Sequence, residues 1–344
     1  MDVKLKSLPQ SWSELTWESL REVWAVKQRY GGSADVARCA ALMELCHLTV
    51  CGGRTQVSDS GETLYTMQDC QRRRWLITPR ELAWISSQAL PWFDFPYGDP
   101  GEKEQQDENG NVIKERREGV RGYVSPMRDA MILPLDNITL GRKHFALPQV
   151  ACNNITWQQY RSLQTIVPQL FDSDVTDEQA LVLQAQFLAH ILTPRTIALL
   201  DTSGGSIRVR LHYEYRYNSE QAEGLAKWFA KKLKKESKKM TEASFVKSST
   251  FSTLFHICFQ TYQTALTYYG ISYPLLFSDS GKKDPLRDAL TGEMRTINAI
   301  MKYAGYTEQQ QVYDSNLPFV LDILNTMTII AKEEEKMNAK IKKK

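Results

Sequence analysis

Apolar side chains along this chain recur mostly at three- and four-residue intervals, the period of a helix that buries one face. Leu15-Thr16-Trp17-Glu18-Ser19-Leu20 has the form of a helix start, with Thr16 at the N-cap and Leu15 and Leu20 at the flanking staple positions. The spacing of Leu20, Val23, Trp24 and Lys27 on one face predicts a helix to about Tyr30, ended by Gly31-Gly32. A second helix is expected from about Asp35, with Ala37, Ala40, Ala41, Glu44, Leu45 and Leu48 in helical spacing. Two short strands follow, Leu48 to Cys51 and Thr63 to Met67, separated by Gly52-Gly53 and Asp59-Ser60-Gly61. Thr78-Pro79-Arg80-Glu81 then opens a third helix with a capping box and a proline in the first turn.

From Pro91 to about Pro134 the pattern is lost. Pro91, Pro96, Pro100, Pro126 and Pro134 bracket a polar stretch, Gly101 to Gly122, which reads as an exposed excursion or linker. Within it Asn109-Gly110 is a two-residue hairpin signal, so a solvated β-ribbon stands beside disorder as a reading.

The opening pattern then returns. Ile155-Thr156-Trp157-Gln158-Gln159-Tyr160 matches the first helix start at the N-cap, the tryptophan and both staple positions, and Gln159 adds a capping-box acceptor. A helix from Thr176-Asp177-Glu178 carries Leu181, Ala185, Leu188 and Leu192 on one face. Strands are expected at Thr196 to Leu200 and Ser206 to Tyr217, joined by Thr202-Ser203-Gly204-Gly205, and a third helix starts after Asn218. Thr16 and Thr78 are 62 positions apart, as are Thr156 and Asn218. Two explanations compete: duplicated α-α-β-β-α units at about Ser11 to Leu90 and Cys152 to Lys239, or chance recurrence of a common helix opening. Helix order and strand pairing in the two segments are the test.

The remainder reads as helices: Phe251 to Tyr269, Arg287 to Tyr303, and Pro318 to about Lys344. The last is expected to pack through Phe319, Leu321, Ile323, Leu324, Met327 and Ile330, with its charged final turns in solvent. The fold class is therefore mainly α with small β-hairpins, an α+β chain ending in helices. Its expected parts are an α+β unit over 1–95, the polar excursion over 96–134, a second α+β unit over 135–240 and a helical region over 241–344.

Composition narrows the function classes. The 344 residues suffice for a large core, and 43 basic against 40 acidic side chains leave a net charge of +3, too near balance for a general attraction to nucleic acid or anionic membrane. An electrostatic partner must be met by a local patch. The charged start Met1-Asp2-Val3-Lys4-Leu5-Lys6 is unlike a signal peptide, and no run of about 18 apolar residues occurs. These features predict a cytoplasmic protein that does not enter a membrane. Cys39, Cys46, Cys51 and Cys70 cluster without a C-x-x-C pair, and Cys152 and Cys258 stand alone, so neither disulfides nor a metal site is expected.

His47, His144, His190, His212 and His256 fall in five separate elements, with no nucleophile signature near a serine. His190 and His256 read as core histidines bonded to backbone. The glycine pairs at Gly52-Gly53 and Gly204-Gly205 read as turns rather than phosphate loops. No catalytic residue, cofactor or metal is predicted, and the chain reads as a protein that works without catalysis.

Ile207 to Tyr217 alternates strictly. Ile207, Val209, Leu211, Tyr213, Tyr215 and Tyr217 are expected on a buried face, opposite Arg208, Arg210, His212, Glu214 and Arg216. The helix after Asn218 places Leu225, Trp228, Phe229 and Leu233 on its apolar side, with Lys227, Lys231, Lys232, Lys234, Lys235, Lys238 and Lys239 around the rest. Partner or nucleic-acid contacts are accordingly expected at Arg208, Arg210, Arg216, Lys227, Lys231, Lys234, Lys235 and Lys238. The competing account is a solvated helix whose lysine stems cover apolar surface.

Three segments carry a resemblance: Leu8-Pro9-Gln10-Ser11-Trp12 with Glu14-Leu15-Thr16, Asn154-Ile155-Thr156-Trp157-Gln158-Gln159-Tyr160, and Phe187-Leu188-Ala189-His190-Ile191-Leu192-Thr193-Pro194. With the charged helical end, they resemble uncharacterised proteins of Bacteroidetes phages and prophages encoded among virion-morphogenesis genes. The resemblance implies an accessory protein of particle or tail assembly, whose partners are other phage proteins in the host cytoplasm or the virion. The Ser206 to Tyr217 strand and the lysine-rich helix lie outside it. The alternative function is nucleic-acid binding through residues 206–239.

Overall fold

A computed structural model describes residues 8–9, 14–30, 34–51, 56–58, 61–69, 71–90, 93, 103–106, 112–115, 133–200, 210–238, 250–277 and 285–341. The helix starts signalled in the sequence are helix starts in the structure. α1 (Trp17–Tyr30) is capped by Thr16, whose Oγ1 accepts from Ser19 N at 3.3 Å while Thr16 N donates to Ser19 Oγ at 2.8 Å. α2 (Ala34–Leu45) follows, and α3 (Pro79–Ala89) begins in a complete capping box of Thr78 and Glu81. Complete boxes also open α4 (Trp157–Ile166), from Thr156 and Gln159, and α5 (Asp177–Ile191), from Thr176 and Gln179. Asn218 Oδ1 caps α6 (Ser219–Ser237) by accepting from Glu220 N at 2.8 Å and Gln221 N at 3.3 Å. The chain is mainly helical with small antiparallel sheets, as expected.

The chain divides into two compact units, Met1–Ala130 with Ala243–Thr253, and Met131–Glu242 with Leu254–Lys344. In the first, α2 packs against both α1 and α3. The sheet joins β1 (Thr49–Val50), β2 (Gln56–Val57) and β4 (Arg74–Ile77) to β3 (Thr63–Gln68). Leu20, Val23, Trp24, Leu42, Met67 and Ile77 are buried in this unit. The polar excursion holds β5 (Lys103–Gln106) antiparallel to β6 (Val112–Glu115), the ribbon that flanks the Asn109-Gly110 signal; the turn itself lies outside the described residues.

The second unit is built on a sheet of order β10-β9-β8-β7, all antiparallel: β7 (Asn137–Leu140), β8 (Lys143–Ala146), β9 (Thr193–Leu200) and β10 (Arg210–Tyr215). α5 packs between α4 and α6, and Phe187 of α5 meets Phe255, Phe259 and Tyr262 of α7 (Thr250–Ser272) edge-on at 5.4 to 5.9 Å.

One buried side chain ties several of these elements. Gln159 is fully buried, and its Oε1 accepts from Thr156 N at 2.9 Å. Its Nε2 donates to the His190 carbonyl at 2.8 Å and to Thr193 Oγ1 at 3.3 Å, at the end of α5 and the start of β9. Around Thr156 the backbone is bridged to the segment before the last helix. Trp157 N donates to Ser315 O at 2.8 Å, and Leu317 N to Ile155 O at 2.9 Å. Just upstream, Ala151 and Cys152 both have left-handed φ, 52° and 53°, a conformation that costs roughly 1–2 kcal/mol per non-glycine residue. The Tyr269 hydroxyl donates to Ala151 O at 2.6 Å, and Asn154 clamps the loop through Gln149 N and Leu147 O.

The two proposed repeats share helix order and helix neighbours, and each has an antiparallel hairpin before its third helix. The remaining strand pairing differs. β3 is flanked by β1 and β2, which lie between the second helix and the hairpin, whereas β9 is flanked by β8, which precedes α4.

The last helix (Leu317–Ile341) departs from the expected face. Leu317, Val320, Leu321 and Ile323 are buried, while Phe319 and Ile330 are 45% and 44% exposed. The backbone bridge at Leu317 sets the inward stripe at 317, 320, 321, and that rotation turns Phe319 outward.

The two glutamine boxes differ in burial. Gln159→Ala removes a buried side chain and leaves its half-buried partners unsatisfied, and is expected to cost about 2–3 kcal/mol, whereas Gln179→Ala removes only an exposed cap worth about 1 kcal/mol or less. Urea unfolding of the full chain followed by far-UV circular dichroism compares the two; equal losses would contradict the role given to Gln159.

Candidate functional site

α6 is amphipathic. Ala222, Leu225, Phe229 and Leu233 form its buried stripe, and Phe229 meets Phe145 of β8 at 5.7 Å. Lys227, Lys231, Lys234 and Lys238 fall at i, i+4, i+7 and i+11, one exposed ridge, with exposed Lys235 beside it. The helix itself gains from this order, because Glu220 lies in its first turn and Lys234 and Lys235 in its last, each sign matching the nearer end of the helix dipole. Lys234 Nζ also sits 2.6 Å from Glu178 Oε1 of α5, an exposed pair of little energetic weight.

The feature that the dipole does not explain lies on the flank of α6 facing the sheet. β7 and β8 form a hairpin whose register, Leu140↔Lys143, closes on the two-residue turn Gly141-Arg142. Gly141 has φ 65°, which that tight turn requires of its first residue. Thr139 Oγ1 and His144 Nδ1 are hydrogen-bonded across the hairpin at 2.8 Å. β8 then pairs with β9 at only two positions, Phe145↔Pro194 and Ala146↔Thr193. Pro194 has no N–H to give to a ladder, and beyond it the strands separate.

The separation opens a cleft of about 1070 Å³. Arg142, Lys143 and His144 line one wall and Arg195 and Thr196 the other, with Gln221, Gly224 and Leu225 of α6 along the third side. None of the described residues lining it is acidic. Beside it stands half-buried Trp228, which packs on Phe229 at 4.9 Å and on Phe145 at 6.2 Å. Lys143 Nζ lies 5.8 Å and Lys232 Nζ 5.6 Å from the centre of this one indole, so the hairpin and the helix bring two cations to the same ring.

The expected contact residues are distributed as follows. Lys227, Lys231, Lys234, Lys235 and Lys238 share the exposed side of α6. Arg216 is exposed, with Nη2 3.9 Å from Asp314 Oδ2, and does not line the cleft. Arg210 is in β10 opposite Leu200, its side chain outside the described residues, as is the whole of Arg208. The alternation of this strand does not end in a buried face: Tyr217 is buried, but Tyr215 is 42% exposed, at the end of an edge strand paired on one side. Arg142, Lys143 and Arg195 were not foreseen. The alternation of Asn137 to Ala146 about Gly141-Arg142 was a readable hairpin signal for the first two; Arg195 carried none.

Other titratable groups are accounted for by packing. His190 Nδ1 is hydrogen-bonded to the Tyr217 hydroxyl rather than to backbone, and His256 is exposed. Burial lowers the His190 pKa and pushes the Cys152 thiol up to about 12. Cys39, Cys46, Cys51, Cys152 and Cys258 are free thiols, and among the described residues no three His, Cys, Asp or Glu side chains gather as a metal site would require. No family model, curated protein or solved structure matches the chain.

Two expectations follow. A Cβ added at Gly224 meets nothing within 4 Å, so Gly224→Ala should stabilise α6 by up to about 1 kcal/mol, read as a higher urea midpoint. His190 titrates below its ordinary value of 6.5, so the unfolded chain binds the extra proton first. Its share of stability is complete above pH 6.5 and is lost as the pH falls through the lowered pKa. His190→Gln should therefore flatten the unfolding free energy below pH 6.5; an unchanged slope would show that His190 does not contribute.

Proposed function

We propose that the second unit is a nucleic-acid-binding module that acts without catalysis, using the cleft beside α6 and the adjoining lysines. The observation that carries this reading is the meeting of Lys143 and Lys232 at one indole, with Arg142 and Arg195 on the neighbouring cleft and no acidic lining residue among those described. Cations from a hairpin, a strand and a helix converge here. An anionic ligand gains much, because a concave wall of one sign focuses its field on whatever enters. Arg142 and Arg195 add planar donors suited to phosphate oxygens, and the flank of α6 carries the charge on through Lys232 and Lys235. A chain with a net charge of only +3 thus meets a polyanion locally.

A role in phage particle assembly is a separate reading, supported by the resemblance of the helix openings; the cleft favours nucleic acid. No helix among the described residues is long and apolar enough to cross a membrane.

Fluorescence anisotropy with labelled oligonucleotides at increasing salt tests the proposal. The logarithm of the binding constant should fall linearly with the logarithm of salt, by about 0.7 to 0.9 per phosphate neutralised. The combined K231Q, K232Q, K235Q variant should bind more weakly and with a shallower slope. No binding of the unaltered protein at about 50 mM salt would reject the reading.

A further inference from the structure

We infer that the nucleic acid is single-stranded and that its phosphates enter the cleft between β8 and β9, passing over Gly224. This rests on the nucleic-acid reading above and adds which form is bound and where. Three observations point to it.

The first is the glycine. Gly224 stands inside the first half of a 19-residue helix, where glycine weakens a helix relative to alanine. Packing does not call for it, since a Cβ there would meet nothing within 4 Å. What the missing side chain does is keep the helix side of the cleft open, bringing the backbone of α6 to the surface that an occupant would touch.

The second is shape. Arg142, Lys143 and Arg195 are exposed on facing walls of a concavity rather than on one flat surface. A cleft of about 1070 Å³ is at the scale of pockets that enclose small ligands. A single strand is thin and pliant enough to follow it; a duplex is neither.

The third is direction. Gln221, Gly224, Trp228, Lys232 and Lys235 fall along one flank of α6 at successive turns. The cleft and the indole with its two cations therefore form one track, a charged groove with an aromatic ring beside it, as in proteins that hold single strands by backbone phosphates and stacking.

The test uses a neutral substitution that fills the cleft without altering charge. Gly224→Phe in the full chain should weaken binding of a labelled single-stranded dT oligonucleotide at least tenfold and change binding of a mixed-sequence duplex of equal length less than twofold. Gly224→Ala, a smaller filling, should weaken single-strand binding less than Gly224→Phe does. Circular dichroism verifies the fold; Gly224→Gln, a better helix former than glycine, is the second filling variant. Unaltered single-strand binding by both filling variants, while K231Q, K232Q, K235Q loses it, overturns this inference and leaves the nucleic-acid reading in place. Equal weakening of duplex and single strand overturns it too. Binding of neither form by the unaltered protein removes both proposals. Polyglutamate should compete poorly at equal charge; competition as strong as that of the single strand would reassign the cleft to an acidic peptide.

Discussion

The second unit depends on an amide with no freedom left. Gln159 closes its own helix start through Thr156 N, and the other end of the same side chain holds the His190 carbonyl and Thr193. The first of these bonds is local and the others reach across more than thirty residues. Thr193 is where β9 begins and Pro194 is where its pairing with β8 ends, so the position of the cleft traces back to this glutamine. Buried polar groups are costly unless fully satisfied, and here the satisfaction is shared among three elements that apolar packing alone would leave free to slide.

The left-handed pair Ala151 and Cys152 belongs to the same construction. The chain must turn sharply between β8 and α4, and it does so with two residues that dislike the geometry. Asn154 and the Tyr269 hydroxyl hold them there. Strain at this turn is structural: Cys152 is fully buried, and its thiol is held protonated.

Much of the fold was legible because capping is written in four consecutive residues. Thr16, Thr78, Thr156, Thr176 and Asn218 each marked a helix start that the structure has. Faces were less legible. Phe319 and Tyr215 were assigned inward by periodicity, but the phase of a helix or strand is fixed by its partners, in these cases a backbone bridge at Leu317 and an edge position in a sheet. The lysines of α6 were visible, since composition reports charge directly. The cleft was not. It exists because β8 and β9 pair briefly and then part, a relation between segments nearly fifty residues apart that neither segment states alone.

That brief pairing has an electrostatic side. Carrying the observed register one step further would set His144 opposite Arg195, and the next would set Lys143 opposite Thr196. The ladder stops where the Arg142-Lys143-His144 corner comes near Arg195, so cations from both strands line the same opening without facing one another directly. The missing N–H of Pro194 ends the ladder at this point. A phosphate bound between the strands would lie within reach of cations from both at once.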